Sequence, residues 1–459
     1  MADALWSKGA GELATLIRDK QVSSREVVQA HLDRIDAVNG IVNAVTVTLG
    51  ESALAAADEA DRVPGSGPLH GVPFTIKENI DIVGSATTNG VPAFAGAFPP
   101  QDAVIVERMK AAGAIPLART NLPEMALRIS TDNPLRGRTN NPWDLGRCAG
   151  GSSGGEGAAL AVGMTPIGLG NDIGGSLRNP SFCNGTAAIK PTHGRVPSTT
   201  SIPPLDGPVA GQIMATDGPM ARTVADLRLG MQVLDGRHVR DPRSVDVPLA
   251  LPAPPVLVAA LVTEIPGVTM PPAFVDAIRA AGGALESAGY KVVEATPPEI
   301  DTIALVWTSM MQVGFRDLIP LLGAIMTAPA LAIMQSLMLL EGIDANATFV
   351  ERHRLQREWG AFFTDHPVVV GPTWCDVQFE HDADIHPETG IAVTLARLPF
   401  ILPGNLLGIP GVAVPAGVAD GLPLGVQVYA DLWRDDLALD AAEVIEGALG
   451  TITPIDPVQ

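Results

Sequence analysis

Hydrophobic positions along this chain switch repeatedly between helical and strand-like spacing. Ser23 with Glu26 forms a capping box, and apolar positions behind it keep a helical period to about Val38. Residues 50–62 give a second, Ala-rich helix. VPFTIKENIDIV at 72–83 alternates and predicts a strand with Lys77 near its end. A helix over 102–113 and a short strand at Ala114–Ala118 follow. The opening twenty residues read as an amphipathic helix whose scattered charges do not suit a secretory leader.

Between Gly150 and Lys190 two Gly-Ser clusters, GGSSGG at 150–155 and GGS at 174–176, flank an apolar stretch that suits a buried helix and strand. A flexible linker does not alternate with patterned apolar segments in this way. PLALPAPP at 248–255 is a punctuated connector. Beyond it come a strand (Val256–Val262), a helix (Ala273–Ala288) and a strand (Tyr290–Ala295). Residues 367–459 return to strands, Gly/Pro turns and a terminal helix. The alternation predicts an α/β layer structure, a large mixed central sheet sandwiched by helices. No internal repeat is present, and the expected organisation is one domain over 1–459. Within it lie N-terminal helices (1–64), a core (65–240), a variable region (256–366) and strands returning to the sheet (367–459).

Composition adjusts this picture in three ways. Hydrophobic residues make up 46% and aromatics only 4%, so the core is built from Ala, Val, Leu, Ile and Met. A net charge of −20 without a Lys/Arg cluster argues against a nucleic-acid partner, which needs basic patches. Cys148, Cys183 and Cys375 are too few and scattered for a disulfide framework, which favours a reducing cytoplasm. Residues 318–340 carry no charge over a length that would span a bilayer, but Pro320, Gly323 and Pro329 interrupt them. The expectation is a buried helical pair beside an apolar cavity, without a membrane span.

Several chemistries compete for the Gly-Ser region. Ser153 satisfies G-x-S-x-G, the nucleophile elbow of α/β-hydrolase esterases, yet the preceding NNPWDLGRCAG is loop-like where an elbow follows a strand. His353, His366, His381 and His386 are available as partners but lack a distinctive context. A phosphate loop needs Lys where Glu156 stands. His381, Asp382, Asp384 and His386 lack a metal-ligand pattern and read as a polar loop, so neither metal nor cofactor is expected.

The third arrangement joins Lys77, Ser152 and Ser176. IKENID (76–81), TNLPE (120–124), NPLRGRTNNPW (133–143), GGSSGGEG (150–157), GLGNDIGGSLRNP (168–180) and KPTHGRVP (190–197) resemble the amidase signature family. GPMARTVADL (218–227) and the tail at 408–430 resemble it too, and the core motifs are most similar to the fatty acid amide hydrolase type. The resemblance implies a Ser–cis-Ser–Lys triad with Ser176 as nucleophile, Ser152 as the bridging serine on a cis peptide and Lys77 as base. It implies hydrolysis of a linear C–N bond in an amide, anilide or carbamate, with an ester also able to acylate Ser176. Ala126 and Ile129 align with a substrate-facing segment, and Gly151 is counted with them. Asn171 stands where Thr or Ser is commoner in the family, and Cys148-Ala149 where Pro is commoner. The amidase component of a tRNA-dependent amidotransferase complex would share the triad, but a basic surface signal is missing.

The residue types suit those roles. A serine hydroxyl becomes a nucleophile when an adjacent base takes its proton, and lysine serves as base only when burial lowers its pKa. Main-chain N–H groups of Ile173, Gly174, Gly175 and Ser176 can converge on a carbonyl oxygen. Asp172 and Arg178 are expected to fix that turn as an ion pair, with Ser153 hydrogen-bonded inside the loop. Cys148 reads as a small packed residue. Met310, Met311, Met326, Met334 and Met338 suggest a plastic apolar wall for a bulky hydrophobic substrate. The loop at 376–388 is placed over the entrance. Expected partners are this small molecule and, at most, a second copy of the chain in a homodimer.

Overall fold

A computed structural model describes residues 5–63, 65 and 67–458. Eleven strands form one mixed sheet: β1 Val45–Thr48, β2 Pro73–Lys77, β3 Ile115–Thr120, β4 Ile167–Asp172, β5 Ala187–Lys190, β6 Thr216–Ala221, β7 Val258–Leu261, β8 Lys291–Glu294, β9 Val368–Pro372, β10 Gly411–Ala419 and β11 Leu422–Tyr429. Their spatial order is β1-β3-β2-β4-β6-β5-β10-β11-β9-β7-β8. Parallel pairs occupy both wings, β3-β2-β4 and β9-β7-β8, and antiparallel pairs fill the centre. Strands β2, β5, β9 and β11 are buried along their whole length, because helices cover both faces of the sheet.

Helices α1 Ala10–Arg18, α2 Ser24–Val42 and α3 Gly50–Arg62 precede the core. The expected helix over residues 1–20 is shorter, and residues 1–4 of it lie outside the described residues. It starts at Ala10 because the Asp226 carboxylate accepts from Ala10 N at 3.0 Å and Gly11 N at 2.8 Å, doing the work of an N-cap. The capping box at the head of α2 is formed: Ser23 accepts from Glu26 N, and the Glu26 carboxylate accepts from Ser23 N at 2.8 Å. β2 stops at Lys77, short of the expected residue 83. Ile80 N donates to Lys77 O at 2.9 Å, closing a turn, while Glu78 is held by Arg136 and Thr88.

The uncharged 318–340 segment is cut into short helices, Ile319–Leu322 and Ala328–Leu337. Pro320 and Pro329 sit in their first turns, where a missing N–H costs nothing. Among the described residues no helix is long and apolar enough to cross a membrane.

The glycines of the first Gly-Ser cluster open α5, Gly154–Ala161, which follows α4, Val104–Ala111, in the chain. They let α5 lie directly on neighbouring backbone: a Cβ on Gly155 would stand 2.3 Å from Asn121 N and 2.8 Å from Ala44 O. Gly155→Ala should therefore destabilise the protein by at least about 1–3 kcal/mol through overpacking. Gly40 lies exposed on α2 with nothing within 4 Å of an added Cβ. Gly40→Ala should gain about 0.5–1 kcal/mol from helix propensity. Urea unfolding of the two variants should move in opposite directions.

Candidate active site

Strands β2 and β4 run parallel, with Thr75 opposite Gly168 and Ile76 opposite Leu169. Their carboxyl ends therefore emerge side by side, where open α/β sheets place ligands. Lys77 ends β2 with its side chain fully buried. Its Nζ lies 2.7 Å from Ser152 Oγ and 2.7 Å from Asn171 Oδ1. The Gly151–Ser152 peptide is cis. Burial pushes the Lys77 pKa down to about 7, outweighing the pull of Asp172, Asp217 and Glu156 toward the charged form. Glu156, on α5 beneath the site, is raised to about 7 by burial, although Thr75 and Thr120 donate to its carboxylate. Asn171 is clamped in turn by Asn79: Asn79 Nδ2 donates to Asn171 Oδ1 at 3.3 Å, and Asn171 Nδ2 donates to Asn79 Oδ1 at 3.1 Å.

The second cluster leaves β4 as a tight turn into α6, Arg178–Asn184. Gly175 has φ +103°, a conformation that L side chains resist. Asp172 is the turn's anchor. It accepts from Gly175 N at 2.7 Å, Leu177 N at 3.1 Å, Arg178 Nε at 3.0 Å and Asn405 Nδ2 at 2.8 Å. Burial alone would raise its pKa, but the Arg178 charge and these donors hold it well below the carboxylate range. Arg178 also donates to Ile401 O, Gln427 and Tyr429, so its guanidinium ties the turn to β11. Of the four N–H groups expected to converge, one is engaged within the protein. Gly175 N–H is committed to Asp172, which leaves Ile173, Gly174 and Ser176.

Ser153 N donates to Ser176 O at 3.2 Å and so joins the two clusters. Its hydroxyl makes only a long contact of 3.5 Å with Asn171 O. Of the histidines weighed as its partners, His366 faces Phe362 O, His381 faces Leu145 O and His386 contacts Thr389. Cys148 is buried against Cys183, consistent with a packing role. Asp382 and Asp384 are taken by arginines: Asp384 by Arg128, and Asp382 by Arg138 and Arg128.

Ser176 lines a cavity of about 70 Å³ with Ala126, Ile129, Ile173 and Gly174. Gly151 stays outside it, packed on the main chain of Arg128 and Ile129; an added Cβ would stand 2.6 Å from Arg128 O. Of the methionines, Met311 and Met334 reach the cavity, whereas Met310 is core and Met326 packs with Leu322 and Ala330. Trp307, Leu395 and Leu398 also line it. Sequence reasoning missed them because they sit in apolar runs indistinguishable from core. Trp307 Nε1 donates to Ile173 O at 2.9 Å, fixing the Ser176 turn against the helix Ile300–Phe315.

The family model described as Amidase matches residues 26–439. An indoleacetamide hydrolase of Bradyrhizobium diazoefficiens is 39% identical, covering 98% of this chain and 88% of the relative. An acylamidase of Rhodococcus erythropolis is 33% identical, covering 95% and 94%. Among solved structures, a 6-aminohexanoate cyclic dimer hydrolase complexed with substrate superposes with a TM-score of 0.86 at 28% identity, covering 97% and 98% of the two chains.

Burying Lys77 has a stability signature. Its pKa of about 7 lies below the unfolded reference of about 10.4. Below pH 7 both states carry the proton, and the folded state bears the full burial cost. Between pH 7 and 10 the unfolded chain binds more protons, so stability rises with pH. Lys77→Met removes this dependence. Its stability relative to the parent should fall by up to ~1.4 kcal/mol per pH unit across that window. The two hydrogen bonds it loses offset the whole curve but not its slope. Urea midpoints of both proteins at about pH 6 and about pH 9 provide the test, and a constant difference would refute the buried, neutralised amine.

Proposed function

The chain belongs to the amidase family, and from that premise we propose that it hydrolyses a linear, non-peptide C–N bond of a compact apolar amide through an acyl-enzyme at Ser176. The observation that carries this reading is the fully buried Lys77 amine at 2.7 Å from Ser152 Oγ, beside a cavity lined by Ser176.

In this mechanism Ser176 Oγ attacks the amide carbonyl carbon. Its proton passes to Ser152, and the Ser152 proton passes to Lys77 Nζ. The carbonyl oxygen becomes an oxyanion held by N–H groups of Ile173, Gly174 and Ser176; one such donor is commonly worth about 2.7–4 kcal/mol. The proton then returns through Ser152 to the departing amine, leaving an ester on Ser176 that water hydrolyses by the same relay. Deprotonating an ordinary lysine at pH 7 costs about 4–5 kcal/mol. With a pKa of about 7, Lys77 is half neutral there and that cost nearly vanishes.

The cavity narrows the substrate expected from the sequence. A cavity of about 70 Å³ holds about five to seven waters at roughly 10–15 Å³ each. That is room for a mono- or bicyclic aryl group and its amide, but a long alkyl chain would require movement of the walls. Carbamates and esters of the same size present the same carbonyl to Ser176.

Two outcomes test this. Ser176→Ala should lose all labelling by a fluorophosphonate probe, and Ser153→Ala should keep it; mass spectrometry of the labelled peptide decides. Activity needs neutral Lys77, so kcat/KM on an arylacetamide should fall as pH drops, with an apparent pKa near 7. A profile flat from about pH 5 to about pH 8 would sink the assignment of Lys77 as base.

A further inference from the structure

The cavity holding Ser176 has a polar corner that the reaction above leaves unused. Arg128 and Asp384 both line it. Asp384 Oδ2 accepts from Arg128 Nε at 3.0 Å and Oδ1 from Nη2 at 2.8 Å, with the two side chains only 5% and 2% exposed. Asp382 accepts from Arg128 at 3.4 Å and from Arg138, and Asp132 accepts from Arg138 at 3.1 Å. Three carboxylates thus face two guanidiniums, and the cluster is one negative charge in excess.

Hydrogen-bonding capacity in the corner is incompletely used. Among the described residues, Arg128 bonds through Nε and Nη2 alone, which leaves its Nη1 and the Thr394 hydroxyl without a protein partner, and both residues line the cavity. Each Asp384 oxygen holds one arginine hydrogen, whereas a carboxylate oxygen can accept two. Polar groups left unpaired at the wall of a mostly apolar cavity favour a ligand that completes them.

We propose that Arg128, Asp384 and Thr394 form a distal recognition site for a neutral hydrogen-bond donor, a hydroxyl or ring N–H, carried on the apolar acyl group of the substrate. This rests on the reading that the substrate's amide sits at Ser176. Asp384 accepts the donor, Arg128 holds Asp384 in place, and Thr394 takes a second bond. A ligand carboxylate is repelled by the excess negative charge. An ammonium is drawn by the excess charge but gives up far more hydration than a neutral hydroxyl on entering the apolar cavity. A site built to bond a hydroxyl discriminates strongly against the analogue lacking it, because its own polar groups are left unpaired.

The test uses ligands without a scissile bond: 4-ethylphenol, ethylbenzene, 4-ethylbenzoate and 4-ethylbenzylamine. Each is measured for protection of Ser176 against the fluorophosphonate and, separately, for binding by titration calorimetry. The phenol should bind at least tenfold more tightly than the other three. In Thr394→Val and Asp384→Asn the ratio of phenol to hydrocarbon, measured within each variant, should fall below threefold. Because that ratio is internal, a general weakening of the variant does not imitate the effect. Equal binding of phenol and hydrocarbon in the parent, preference for the acid or the amine, or a ratio unchanged in both variants would overturn the proposal. Failure to label Ser176 at all would count against the nucleophile assignment alone, since calorimetry still reads the corner.

Discussion

Withdrawal of the Lys77 amine from water is the constraint on which the rest of the site depends. A charged ammonium in that position would lose its hydration, and the nearby acids Asp172, Asp217 and Glu156 do not fully replace it. The neutral amine is therefore far more accessible than in a solvated lysine, and it is directed at Ser152 and Asn171 by two bonds of 2.7 Å. Asn171 supplies an acceptor without a charge. A carboxylate there would stabilise the ammonium and work against a base. The surroundings of β2 make this arrangement possible, since the strand is buried along its whole length and its end delivers the amine to the sheet's carboxyl edge.

A second buried network does the opposite with its charges. Asp172 and Arg178 are both fully buried, yet both remain ionised because each is saturated with partners. Their pairing is of limited worth as stability, since desolvation offsets much of the attraction. Its consequence is geometric. The Asp172 carboxylate takes the Gly175 and Leu177 N–H groups and so fixes the turn carrying Ser176, while Arg178 anchors that turn to the central strands through Gln427 and Tyr429. One charge pair thereby commits two main-chain N–H groups of the turn to the protein itself. In the proposed reaction, a lysine of lowered pKa beside a locked ion pair separates the group that exchanges a proton from those that hold the turn in place.

Much of the fold is legible in local sequence. The capping box of α2, the span of α3 and the helix at 272–287 follow from side-chain periodicity and end signals, because those signals act within a few residues. Element ends are less legible. β2 stops at Lys77 although the alternation runs on, because the turn at Ile80 and the partners of Glu78 are supplied from elsewhere in the chain. Short strands such as β7 and β8 are trimmed at both ends.

By itself the sequence determined the α/β class and, through its resemblance to the amidase signature family, marked Lys77, Ser152 and Ser176 as the residues to examine, because the motifs that carry the resemblance are short and contiguous. It could not decide the orientation of Gly175 N–H, the exclusion of Gly151 from the cavity or the contributions of Trp307, Arg128 and Asp384. The last three depend on segments far apart in the chain, as when Asp384 reaches Arg128 across 256 positions, while the first two depend on how short loops close in the folded state. Periodicity marks a residue for burial. Only the packed structure decides whether that burial ends in the core or at the wall of a cavity, and therefore what the cavity can hold.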